Sequence, residues 1–273
     1  RQRILIRKFK MKILSDMHIH TDISRCCRSP EQTMENVIKT WSKGGIKKIG
    51  LADHVWDSLE YPASVWYEPM DGSANLQLHD VIHARQWDIE VLVGCEADTQ
   101  APGVFGITHE LKNNLDYVMM SASHFHMKEF MEQPVNTSPR GIADHMLAFF
   151  VSAVSSGRAD AIVHPLFPFG YDSTYEAAIT SLSDAELTDA FGIAAENNVG
   201  IEINPCSLPN PGRGRIFSPE TPIRVFSLAK AVGCKFTFGS DAHAPEEFHN
   251  LQRLQKIADA LDLTEDDLHS IAR

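Results

Sequence analysis

The sequence predicts an α/β fold in which a parallel sheet, closed or distorted into a barrel, is wrapped by helices. Strand-like and helix-like segments alternate along the 273 residues, without the long runs of one kind that mark other classes. No internal repeat, low-complexity tract or linker divides the chain. The polar residues suited to chemistry fall where strands end. A barrel gathers those ends at one mouth, whereas an open sheet concentrates its ligands at a single switch point.

The first strand, Lys12 to Ser15, leads into Asp16-Met17-His18-Ile19-His20, where extended backbone points the two imidazoles to one side. After a loop bearing Cys26 and Cys27, residues 30–42 place Met34, Val37, Ile38 and Trp41 at helical spacing, and Gly44-Gly45 ends that helix. A second strand over 48–52 runs into Asp53-His54. The aromatic loop that follows, with Trp56, Tyr61, Trp66 and Tyr67, suits a lid or pocket wall. Helix 74–87 carries His79 and His83 at i and i+4; with no third ligand found for them on that helix they read as surface histidines.

Strand three, 89–93, ends in Gly94-Cys95-Glu96-Ala97-Asp98, and strand four, 117–122, ends at His124 and His126. A helix over 141–156 precedes strand five, 161–163, which ends at His164-Pro165; its His145 reads as a satisfied or exposed side chain. Ser183 opens the next helix with a capping box. Strand six, 199–203, ends at Asn204-Pro205, and a Pro/Gly-rich loop then carries Arg213 and Arg215. Helix 222–231, strand seven over 235–238 with Gly239-Ser240-Asp241-Ala242-His243 behind it, and helix 249–261 complete the chain.

Apolar residues at 43% and charged residues at 22% fit a globular protein. No apolar run approaches the roughly 20 residues of a membrane span. A net charge of −11 argues against a nucleic-acid surface, which is built from clustered Lys and Arg, but leaves room for a small phosphorylated substrate if bound cations supply the positive charge. Five irregularly spaced cysteines and no signal peptide suggest a reducing, cytoplasmic setting. Residues 1–10 read as a basic N-terminal extension ahead of a single domain over 11–273.

His18 and His20, His54, Glu96, His124, His164, and Asp241 with His243 stand at the ends of six of the seven strands. A nitrogen-rich set with two carboxylates suits zinc, manganese or iron better than calcium or magnesium. Eight ligands exceed one tetrahedral ion, and a carboxylate such as Glu96 bridges two. A closed structural zinc site would use four mostly cysteine ligands.

The segments His18-Ile19-His20-Thr21, Ala52-Asp53-His54, Gly94-Cys95-Glu96, Ser123-His124, His164-Pro165 and Ser240-Asp241-Ala242-His243 resemble the ordered motifs of the polymerase and histidinol phosphatase (PHP) superfamily over residues 12–250. The resemblance implies a distorted (β/α)7 barrel, a centre of two or three divalent ions, and phosphoester hydrolysis by a metal-bridging hydroxide. By position it puts His18, His20, Glu96 and Asp241 on a first metal, Glu96, His124 and His164 on a second, and His54 with His243 on a third. Many relatives carry another histidine where this chain has Cys26; either the thiolate binds the third ion or that site is weak or empty.

The resemblance leaves Asp241, His243 or a metal-bound water as the proton donor. Arg213 and Arg215 follow a Glu202-Ile203-Asn204 segment like the one that precedes a phosphate-binding arginine in histidinol phosphatases, and are either phosphate ligands or solvated loop charges. No arginine lies close behind His164, where Pro165-Leu166-Phe167-Pro168 follows, which counts against histidinol phosphate itself. His126 faces the mouth as a substrate contact or as support for His124. A phosphomonoester is the expected substrate. The rivals are a phosphodiester, cyclic phosphate or amide on the same centre, and a non-catalytic metal-binding module.

Overall fold

A computed structural model describes residues 11–273; the extension expected over residues 1–10 lies outside the described residues. Seven parallel strands form a nearly closed barrel: β1 (Ser15–Ile19), β2 (Lys48–Leu51), β4 (Glu90–Ala101), β6 (Tyr117–Ser121), β7 (Ala161–Val163), β8 (Gly200–Ile203) and β9 (Phe236–Phe238), hydrogen-bonded in that order. Two short strands, β3 (His54–Val55) and β5 (Val104–Phe105), pair with the upper part of β4. The seam between β9 and β1 carries a single parallel bridge, Ile19 to Ala242. Polar clasps reinforce it: Asp241 N–H donates to the His18 carbonyl at 2.8 Å, and Ser240 N–H to the buried Asp16 carboxylate at 2.9 Å.

Alternation along the strands separates two cores. Val93, Cys95 and Ala97 of β4 and Val118 and Met120 of β6 face the helices, while Met17, Tyr117, Met119, Ala161 and Val163 fill the barrel's lower interior. Glu96 and Asp98, on the inward side of β4, lie above that plug. The expectation that strand three stops at residue 93 is therefore corrected: β4 runs on to Ala101, because β3 and β6 flank its upper half and pair with it.

Helix α1 (Met34–Lys43) buries the predicted Met34, Val37, Ile38 and Trp41, and Thr33 caps it by accepting the Asn36 N–H. Trp41 Nε1–H reaches inward to Asp16 at 2.6 Å. Helices α2 (Ser73–His83), α4 (Pro139–Val154), α6 (Asp184–Glu196), α7 (Glu220–Ala231) and α8 (His249–Ala260) match the expected segments to within a few residues, and the Ser183/Glu186 capping box is present. The short α3 (His109–Asn113) and α5 (Tyr175–Ser181) were not expected; each is too brief to print a helical period. The first strand begins at Ser15 rather than Lys12, so His18 lies within it. No described helix is long and apolar enough to cross a membrane.

His269 anchors the C-terminal segment beneath the barrel. Its backbone N–H donates to the Phe236 carbonyl at 2.8 Å, its Nε2–H donates to the Asn198 carbonyl at 2.9 Å, and its Nδ1 is buried without a partner among the described residues. Burial lowers its pKa, since a proton on Nδ1 would meet no acceptor. The folded chain thus binds this proton less readily than the unfolded one, and the stabilisation, full above the unfolded value of about 6.5, is lost as pH falls through the folded value. The urea midpoint of wild type is expected to fall further than that of His269→Asn between pH 7 and pH 5; equal slopes would count against this account.

Candidate metal centre

The C-terminal strand ends bring the predicted residues into one buried group. His18 and His20 come from β1 and the residue after it; Glu96 projects from mid-β4, level with His54 on β3 by strand register. His124 and His164 follow β6 and β7, and Asp241 and His243 follow β9. Two of these hold backbone in the left-handed region, His164 at φ 33° and Asp241 at φ 53°, a strain kept where the surroundings fix a side chain's aim.

Glu96 is the centre of the arrangement. Its Oε2 lies 3.4 Å from the Nε2 atoms of both His18 and His20 and 3.2 Å from His54 Nδ1, while its Oε1 lies 3.0 Å from His164 Nε2 and 3.6 Å from His124 Nε2. Asp241 Oδ1 stands 3.6 and 3.4 Å from the same two Nε2 atoms of His18 and His20.

The outward ring nitrogens are held by partners. His18 Nδ1–H donates to Glu202 at 2.8 Å and His124 Nδ1–H to Asp98 at 2.9 Å; His164 Nδ1 meets the Ser123 hydroxyl at 2.7 Å. His20 Nδ1–H donates at 3.1 Å to Ser24 Oγ, whose own proton goes to Asp53. Neutral rings of that tautomer aim lone pairs inward at each other, 3.1 Å apart for His18 and His20, and at two carboxylates. Such a nest of acceptors calls for protons or cations.

Burial works against charging these imidazoles, yet Glu202, Asp241 and Glu96 raise His18 above its ordinary range, Asp241 and Glu96 raise His20 to about 10, and Asp98 with Glu96 raises His124 to about 9. Burial pushes the Glu96 carboxyl up, but His54, His18 and His124 outweigh it and hold it well below the carboxylate range. Donor atoms around a tetrahedral ion with bonds of about 2.0 Å sit about 3.3 Å apart, so the observed spacings fit divalent ions without rearrangement. His54 Nδ1, buried with no hydrogen-bond partner among the described residues although Glu96 is near, fits the same reading.

At the mouth, three sets of ligand atoms among the described residues are close enough to hold an ion: His18, His20 and Glu96; Glu96, His124 and His164; and His20, Cys26, His54 and His243. Cys26 thus joins the third set. Its thiol is driven down by a hydrogen bond from Cys27, against burial, and by His243 and His54.

The centre floors a cavity of about 1450 Å³. Trp66 and Tyr67 of the aromatic loop wall it together with Phe130 and Phe169, whereas Trp56 and Tyr61 do not line it; the Tyr67 hydroxyl donates to Asp98, which in turn orients His124. His126 lines the rim and, desolvated and beside His124, is pushed down to about 4.

Neither Arg213 nor Arg215 lines this cavity. Arg213 is exposed, 3.5 Å from Glu247, and Arg215 stacks on Phe167 and Phe169 with its Nε 3.8 Å from Asp172, behind the wall. The cations that do line it are Arg25, Arg28 and Lys128. Arg25 also donates to the Val65 and Trp66 carbonyls, tying the first loop to the aromatic one. The sequence signal for two of them was the Arg-Cys-Cys-Arg run beside a suspected ligand. Glu202, Asp98 and Ser24, which orient the ligands, were not read as site residues.

A barrel whose strand ends gather imidazoles around a shared carboxylate is the frame of a metal-dependent hydrolase. The chain belongs to the PHP domain family, whose model matches residues 16–206. It is 28% identical over 257 residues to a probable phosphatase of Clostridium acetobutylicum, covering 93% of this chain and 88% of that protein. A probable phosphatase of Aliivibrio fischeri is 29% identical over 252 residues, covering 92% and 86%. Among solved structures, the fold is shared with histidinol phosphate phosphatase from Lactococcus lactis, crystallised with zinc, L-histidinol and phosphate (TM-score 0.52, 16% identity, covering 90% and 94%). It is shared as well with a putative histidinol phosphatase from Listeria monocytogenes (TM-score 0.56, 13% identity, covering 85% and 96%).

Proposed function

We infer that this chain is a metal-dependent phosphoesterase that hydrolyses a small phosphomonoester at the barrel mouth. The observation that carries the reading is Glu96, whose two oxygens face two separate groups of imidazoles, the arrangement a carboxylate needs to join a pair of ions. His18, His20, Glu96 and Asp241 would hold one ion, Glu96, His124 and His164 a second, and Cys26, His54 and His243 a third. His20 has one inward nitrogen and so serves one of them. Imidazole, carboxylate and thiolate together favour zinc, iron or manganese.

Divalent ions bound there supply Lewis acidity and a water ionised near neutral pH. The chain's own groups do the rest. Glu202, Asp98, Ser123 and Ser24 fix the tautomer and aim of the ligand rings. The aromatic walls exclude water and take the organic part of the substrate, and Arg25, Arg28 and Lys128 draw an anion inward against the net negative charge. His243 opens 30% of its side chain to the cavity, and its Nδ1 donates to the Asp241 carbonyl at 2.9 Å, so its Nε2 either holds the third ion or, with that ion absent, passes a proton to a leaving oxygen.

The test is phosphate release from a panel of phosphomonoesters by protein reconstituted with zinc, manganese or iron. Release of inorganic phosphate with kcat/KM well above that for phosphodiesters supports the reading; metal-loaded protein that releases none overturns it. Glu202 offers a further check. Its carboxylate binds both His18 Nδ1 and, at 2.6 Å, the His164 backbone N–H. Glu202→Gln is expected to weaken metal binding by about 10- to 100-fold, measured by competition with a chelating dye.

A further inference from the structure

We propose that His79, His83 and Asp116 form a second metal site, away from the mouth, for one borderline divalent cation such as zinc. His79 and His83 lie one turn apart on α2 with ring centroids 4.2 Å from each other. Their Nε2 atoms converge on a single carboxylate, 3.4 Å from Asp116 Oδ1 for His79 and 3.0 Å from Oδ2 for His83. The reading of these residues as surface histidines rests on the want of a third ligand on their own helix. It comes instead from the loop before β6, and the three ligand atoms lie within 4.8 Å of one another.

Three further features suit a cation. Asp116 is fixed before any ion arrives: its Oδ2 accepts the Val93 N–H at 2.7 Å, and its own N–H donates to the Val93 carbonyl at 2.9 Å. That is the outer support a metal-binding carboxylate needs. His83 is the last residue of α2, where unsatisfied carbonyls place partial negative charge. Among the described residues, Asp116 pairs with these two imidazoles and with no Lys or Arg.

Two imidazoles and one carboxylate on a half-open surface leave room for water as the fourth ligand. Asp116 precedes β6 and His124 follows it, so the site lies roughly 17 Å from the mouth along the strand. An ion there would pin the last turn of α2 to the β4–β6 edge. Its role is a structural clamp rather than chemistry.

The experiment is equilibrium dialysis of untagged, metal-depleted protein against zinc, with metal per chain counted by mass spectrometry, in wild type, the double variant His79→Gln/His83→Gln, and Asp116→Asn. Both variants should hold one zinc fewer than wild type, with phosphatase activity unchanged. The zinc-dependent rise in Tm should be smaller by about 5 °C at a hundredfold excess over Kd. In a Glu96→Gln background, which disables the mouth, this zinc should still bind; that arm separates its failure from failure of the catalytic reading. Equal zinc counts in wild type and both variants would overturn the site, and loss of the zinc without any change in the Tm response would overturn the clamp.

Discussion

Glu96→Gln is expected to lower kcat/KM for a phosphomonoester by about a thousandfold or more, equivalent to about 4 kcal/mol of transition-state stabilisation. The substitution keeps the side chain's volume, so its effect is electrostatic. An amide presents one weak acceptor and one donor where the carboxylate presents two anionic oxygens, and its N–H₂ would point at imidazole nitrogens on one side of the centre. Both groups of imidazoles lose their common partner at once. Metal content should fall together with activity. A variant that kept its full complement of metal and its rate would show that Glu96 joins nothing.

Gly239→Ala should be nearly as damaging although it adds one methyl group. A Cβ at position 239 would stand 1.9 Å from Glu202 Oε1 and 2.5 Å from His18 Cβ. Backbone of β8 or β1 must shift to admit it, because the atoms in the way belong to buried, hydrogen-bonded groups rather than to the loose end of a side chain. Overpacking of this kind costs about 1–3 kcal/mol of stability, and displacement of His18 and Glu202 should lower kcat/KM by about a hundredfold. Urea unfolding and steady-state kinetics measure the two effects. Gly192→Ala in α6, where an added Cβ meets nothing within 4 Å, is the control and should gain stability by about 1 kcal/mol. If both alanines behaved alike, the close approach at Gly239 would not be needed.

The alternation of elements was legible because each long helix prints a 3.6-residue stripe and each strand is a short apolar run; α1 and α6 also announced their caps. The candidate ligands were legible because, Cys26 apart, they sit within five residues past such runs, and the structure brings His18, His20, Cys26, His54, Glu96, His124, His164, Asp241 and His243 together. What sequence could not provide was anything decided by side-chain reach. The loop leaves Arg213 exposed and packs Arg215 behind Phe167 and Phe169, and Arg25, Arg28 and Lys128 meet the cavity instead. Asp116 stands 33 residues from His83 and shares no element with it. The full length of β4 also escaped, since its upper half is strand by virtue of its neighbours rather than of its own composition.

The weak seam between β9 and β1 sets the order in which this molecule is assembled. Asp16 and Ser240, which meet there, are 224 residues apart in the chain, and contacts of such high sequence separation form late because a very large loop must close first. During synthesis the imidazoles of the first strand emerge long before Asp241 and His243 exist. A nascent chain therefore holds an incomplete ligand set, open on the side that β9 will occupy. Divalent ions that span the seam would favour the closed barrel over chains whose first and last strands have not met, so metal supply and folding yield should rise and fall together in the cell.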